Sequence, residues 1–171
     1  MAYRTRTYIA ADWDGDKNAI EQLHKWNDGM KWSLSFTDAH DLTLARDSSL
    51  NCSIKASLAK RMDSSKTFVL IVGNGTKSRK AGECTYCVNY NNGKCITGHT
   101  VSNDSFIEYE CKKAVRDREY LKIVVLYNAA TVDKSKCPDV IKEFGTHAPM
   151  QKIVDGKRYW DYESVKSAMG Q

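Results

Sequence analysis

The chain alternates short, densely apolar runs with segments whose apolar residues recur at helical spacing. Residues 7–11, TYIAA, read as a short apolar strand. Asp16 stands where a helix N-cap belongs, ahead of Ile20 and Leu23, and Gly29 marks the end of that helix. In KWSLSF, residues 31–36, Trp32, Leu34 and Phe36 fall on one side and Lys31, Ser33 and Ser35 on the other. That period of two predicts a half-exposed strand at a sheet edge. Leu50, Ile54, Leu58 and Met62 recur every four residues and form the core stripe of a second helix.

Two further runs, TFVLIVG at 67–73 and LKIVVLY at 121–127, are apolar on both faces, as central parallel strands are. Between them lie a polar, glycine-containing insertion, residues 74–104, and a third helix over 104–116. Further on, 138–144 predicts a short helix, QKIV a last strand and YESVKSAM a terminal helix.

This order predicts one domain over 1–171 with a three-layer α/β/α, flavodoxin-like architecture. The alternating strand belongs at the edge and the doubly apolar ones inside, which gives a parallel sheet of order 2-1-3-4-5 with a Cys-rich insertion after the third strand. Ligands of such sheets bind beyond the carboxyl ends of strands one and three. AADWDGD, the 37–47 loop and the 74–104 insertion converge there.

Composition narrows the partners. The chain has 171 residues, 42% hydrophobic and 27% charged, enough for a core of its own. No apolar run is long enough to span a bilayer. MAYRTRTYIAAD lacks the apolar stretch of a signal peptide, so a cytoplasmic address is expected, with the six cysteines reduced or metal-bound rather than paired. The net charge of +5 suits an anionic partner such as a nucleotide. Lys and Arg are dispersed, with no basic block of the nucleic-acid-binding kind.

Several tenants of this fold are excluded by residue type. ADWDGDKN after strand one is acidic and would repel the phosphate of a flavin nucleotide. VGNGTK after strand three lacks the phospho-accepting aspartate of a receiver domain. A P-loop and a GxGxxG are both absent.

The third helix carries the candidate chemistry. Ser105 and Glu108 have capping-box spacing, which gives Glu108 a structural role. Glu110 lies on the border of the arc formed by Ile107, Cys111, Ala114 and Val115. A carboxylate there loses hydration, and its charge is available to a developing cation. The same spacing also fits an exposed Glu110 paired with Lys113.

At YIAADWDGD, FTDAHDLTLARDSSL, SKTFVLIVGNGTK and SFIEYECKKAV, the chain resembles bacterial TIR-like proteins of the kind typified by ThsB of the Thoeris antiphage system. The resemblance covers most of residues 5–127 and is most specific at the Asp-Ala-His-Asp and FIEYE runs. It implies the flavodoxin-like fold and, for catalytic members, consumption of NAD as a substrate by cleavage of the nicotinamide–ribose bond, some members cyclising the product into a signal. By motif position Glu110 is the catalytic carboxylate. Ala11, Asp12 and Trp13 would border the nicotinamide. Asp38, His40 and Arg46 belong to the loop that borders the substrate and mediates self-association, with Arg46 suited to a pyrophosphate. Trp13 also fits a partly buried loop aromatic, Arg46 an ion pair with Asp41 or Asp47, and His40 a hydrogen-bond donor.

The insertion holds C-x2-C-x7-C-x3-H: Cys84, Cys87, Cys95 and His99. Three readings stay open: a structural zinc site, with Cys111 a rival to His99; reduced thiols in a self-packed loop; or a redox pair, Cys84 and Cys87. In each the loop is structural, a lid over the Glu110 pocket. Cys52 and Cys137 read as small hydrophobes. The function classes are therefore an NAD-cleaving enzyme making a nucleotide signal, a non-enzymatic TIR-type module that self-associates or engages an effector protein, and a zinc- or redox-responsive regulator.

Overall fold

A computed structural model describes residues 6–32, 34–38 and 50–171. Its central sheet is parallel and contains β1 (Arg6–Ala10), β2 (Ser65–Val72), β5 (Lys122–Tyr127) and β6 (Thr146–Pro149), in the order β1-β2-β5-β6. Two small antiparallel ribbons lie outside it: β3 (Tyr90–Asn91) with β4 (Lys94–Cys95), and β7 (Gln151–Val154) with β8 (Lys157–Trp160). Among the described residues four α-helices complete the fold: α1 (Lys17–Asp28), α2 (Asn51–Asp63), α3 (Phe106–Arg116) and α4 (Tyr162–Met169).

Strand alternation divides the core in two. Tyr8, Phe68, Leu70, Val72, Ile123 and Val125 point to the face covered by α2 and α3. Ile9, Val69, Ile71, Val124 and Leu126 point to the face covered by α1 and α4. With both faces covered, the inner strands can be apolar throughout, the pattern seen in TFVLIVG and IVVLY. The interior order follows the expected one, with segments one, three and four adjacent.

Three local expectations are corrected. KWSLSF forms no regular strand among its described residues. Its neighbourhood meets β1 through an isolated parallel bridge between Thr7 and Asp38 and a Thr7 N–H bond to the Thr37 carbonyl of 2.9 Å. Side-chain amides hold it instead: Gln171 accepts from the Ser35 N–H at 2.7 Å and donates to its carbonyl at 2.8 Å, and Asn27 accepts from the Phe36 N–H at 2.7 Å. QKIV is a hairpin arm rather than a strand of the central sheet; the place beside β5 expected for it is taken by β6. Residues 138–144 form successive turns, in which the Ile141 N–H bonds the Pro138 carbonyl and the Phe144 N–H the Ile141 carbonyl.

Candidate active site

The carboxyl ends of β1, β2 and β5 meet in a polar network. Asp16 occupies the N-cap position of α1, yet its side chain makes no cap bond. It turns to the sheet, where Asn128 donates to it at 2.9 Å and Thr76 at 3.5 Å. Asn128 also donates to Asn18 and accepts from Gln151. Burial raises the pKa of Asp16, the Asn128 bond opposes the rise, and the charge of Asp12 adds to it. Gly73 makes the arrangement possible: a Cβ there would lie 2.0 Å from an Asp16 oxygen.

Asp12 is buried and Asp14 exposed, and Arg79 spans both. Its Nε and one terminal nitrogen donate to Asp12 at 2.9 and 2.6 Å, and the terminal nitrogen reaches Asp14 at 2.8 Å. The acidic loop that would repel a phosphate is therefore tied to the insertion by a guanidinium fork. Ala11 is buried beside it, and Trp13 is 41% exposed.

Glu110 lies elsewhere. It projects from α3 to the middle of β1, where it accepts a short hydrogen bond from the Tyr8 hydroxyl. Only 4% of the residue is exposed. Burial pushes its pKa up to about 8, against the opposing pull of the Tyr8 bond and the positive charge of Arg61. Lys113, the alternative partner suggested by spacing, instead bonds Asp63 at 2.6 Å and Asp117 at 2.8 Å. Ser105 caps α3 by accepting from the Glu108 N–H at 3.1 Å, so the helix start that fixes Glu110 follows the capping signal.

Asp38 is buried, 3.2 Å from His24, and close enough to Tyr8 for its charge to help raise the phenol's pKa, a smaller influence there than burial and Glu110. The chain passes from Asp38 into the loop that bears His40 and Arg46, both of which lie outside the described residues. The structure thus groups Glu110 with Tyr8, Arg61 and Asp38, and Asp12 with Arg79, as two separate sets. Sequence reasoning missed Tyr8, Arg61, Arg79 and Asn128. Only Tyr8 carried a signal: a tyrosine within an apolar strand needs a partner for its hydroxyl.

The insertion is secured by α2. Lys55 is buried and donates to both the carbonyl and hydroxyl of Ser102 at 3.2 Å and to the Asp104 carbonyl at 2.7 Å. Asn51 donates to the Glu83 carbonyl at 3.0 Å. Cys84, Cys95 and His99, three of the four expected metal ligands, have separate surroundings. Cys84 is buried and accepts from the Ser102 N–H at 3.2 Å. Cys95 lies 3.2 Å from the Thr97 hydroxyl, and His99 is exposed. Among the described residues no three His, Cys, Asp or Glu side chains form a group that could hold a metal. Cys111 is buried in the core.

A parallel sheet clad by helices on both faces, with its irregular edge beside β1 and a buried carboxyl on the helix leading into β5, has the architecture of a TIR-like domain. The family model for the TIR-like domain of the Thoeris protein ThsB matches residues 8–98, and the chain belongs to that family. Its role is accordingly TIR-type antiphage signalling. No curated protein matches the chain significantly. The family match includes Tyr8, the acidic loop and the insertion to Gly98; it stops before α3, so Glu110 joins the site through its bond to Tyr8. Among the described residues no helix is long and apolar enough to cross a membrane.

Proposed function

We propose that the chain cleaves NAD at the nicotinamide–ribose bond, by hydrolysis or by cyclisation of the remaining ADP-ribose, with Glu110 as the carboxylate that faces the ribose. The observation that carries this reading is the dry carboxyl of Glu110, held by one phenol and raised to about 8. In the reaction the C1′–N bond breaks and its electron pair leaves on nicotinamide, which departs neutral. The ribose becomes oxocarbenium-like, and an adjacent carboxylate stabilises it most where water is excluded. Water, or a nucleophilic group of the ADP-ribose itself, then adds to C1′ and releases a proton.

Burial favours the neutral form of Glu110 at rest, its pKa raised to about 8. The cationic nicotinamide ring favours the ionised form, so arrival of the substrate arms the group. Ala11, Asp12 and Trp13 border the nicotinamide, and the loop of Asp38, His40 and Arg46 borders the rest of the nucleotide. The reaction belongs to the cytoplasm. Its product serves as a nucleotide signal to an effector protein, and the loop that follows Asp38 supports self-association.

The test is incubation with NAD, alone and with phage-infected lysate as trigger, read by mass spectrometry for nicotinamide and ADP-ribose isomers. Glu110→Gln should abolish nicotinamide release. Release undiminished in that variant, or absent from the wild type in both conditions, would replace this reading with the non-enzymatic interaction module.

A further inference from the structure

Beyond Gln151 at its base, the β7–β8 arm has no part in the polar networks described above, and it lies beyond the segment matched by the family. Asp155 and Gly156 turn it with φ of 49° and 75°, the paired left-handed conformations of a tight two-residue hairpin. Its base is fixed: Trp160 packs edge-on to Trp26, and Gln151 donates to Asn128 at 3.1 Å. Beyond the base every residue from 152 to 159 is exposed. A two-stranded ribbon is marginal in water by itself, and apolar side chains held out on one need an occupant.

The register places Lys152 opposite Tyr159 and Val154 opposite Lys157. Cross-strand partners share a face, so Val154 and Tyr159 form an apolar centre flanked by two lysines. Their exposures are 46% and 49%, and Ile153 on the other face, opposite Arg158, reaches 59%. Lys152, Lys157 and Arg158 stand against two carboxylates, Asp155 at the turn and Asp161, which lies 3.5 Å from Lys152, so the arm keeps a net positive charge. Two such arms brought together would repel, which disfavours a second copy's arm as the occupant. Exposed aliphatic side chains favour a protein over a nucleic acid. The ribbon also offers open strand edges of the kind that accept an added strand.

We propose that the β7–β8 arm is a docking site for an extended, acidic segment of a partner protein with apolar residues between its carboxylates. The probe is a short synthetic peptide of alternating Glu and Val, titrated into the isotope-labelled full chain and followed by amide NMR. Shifts should concentrate on residues 151–160 and weaken as salt is raised. Tyr159→Asp and the charge reversal Lys157→Glu should each weaken binding at least about tenfold, with the rest of the spectrum unchanged. Both sites are exposed, so the fold tolerates the changes. Absence of shifts in the arm overturns the proposal. So does equal binding of an alternating Lys and Val peptide, tighter binding of an oligothymidylate at the same residues, or a dimer in sedimentation that Ile153→Asp dissolves.

Discussion

Asp16 and Glu110 are both nearly sealed from solvent, and their surroundings differ in kind. Asp16 lies where three strands end, between the amide of Asn128 and the hydroxyl of Thr76, in a chain of carboxamides that continues to Gln151. Glu110 lies beneath a helix against apolar neighbours with the Tyr8 hydroxyl as its bonded partner, and burial carries it to about 8. The difference teaches that burial alone does not identify a reactive carboxyl. Neutral hydrogen-bond donors are distributed around Asp16, whereas Glu110 has one phenol and the charge of Arg61 set against its burial, a setting in which, under the proposed chemistry, an arriving cation changes its charge.

The largest expected effect comes from Glu110→Gln. Nicotinamide release should fall by at least about a hundredfold, in line with loss of a group that stabilises transition-state charge. The same variant reports on stability. The folded-state pKa of Glu110 lies above its ordinary value of 4.5, so its contribution is complete below about 4.5 and lost as pH rises through about 8. Thermal melts should show Glu110→Gln gaining on the wild type across that interval, by roughly 3–5 kcal/mol at its upper end. An unchanged difference between pH 5 and 9 would mean that Glu110 is not held neutral.

Gly73→Ala strikes the other carboxylate. The added methyl meets the Asp16 oxygen and should cost about 1–3 kcal/mol in a denaturant melt, with little effect on the titration of Glu110. A smaller cost of Gly73→Ala in an Asp16→Ala background would assign the loss to close approach between the added methyl and that side chain.

Tyr8→Phe sharpens the contrast from the Glu110 side. The Tyr8 bond favours the ionised carboxylate, so its removal should move the pH midpoint of kcat/KM upward from about 8. A downward move would mean that the phenol stabilises the neutral acid instead. The smallest effect is expected from Arg79→Ala. Its guanidinium is partly solvated, and screening limits the loss to under about 1 kcal/mol. Hydrogen exchange at residues 76–83 should rise while Glu110 remains protected, which would separate the loop clamp from the buried site.

Much of the interior was legible because its cause is local. Doubly apolar runs can exist only where both sheet faces are covered, and the Ser105 cap announces the start of α3. KWSLSF misled for a reason outside its own letters. Its alternation is genuine, with Leu34 buried and Ser35 exposed, but its backbone is claimed by the carboxamides of Asn27 and Gln171. QKIV was read as a strand, and it is one; the Asp155–Gly156 pair after it was the hairpin signal that named its partner as KRYW. Metal-ligand spacing around Cys84, Cys87, Cys95 and His99 belongs to the sequence, whereas convergence of the ligands is a property of the folded loop. The helical period put Glu110 at the edge of the apolar arc, and no period could supply Tyr8 or Arg61, which approach from other elements.

A carboxyl that rests neutral links nucleotide capture to proton traffic. Under the proposed chemistry, arrival of the dinucleotide's cationic nicotinamide ring near pH 7 expels the Glu110 proton into the buffer before any bond is broken. Calorimetric binding heats to a form that binds without turnover should therefore scale with the ionisation enthalpy of the buffer, and the scaling should vanish above the titration point of the side chain. The protein would then register its ligand first as a local acid pulse, released from the buried face of a helix whose other face meets the solvent.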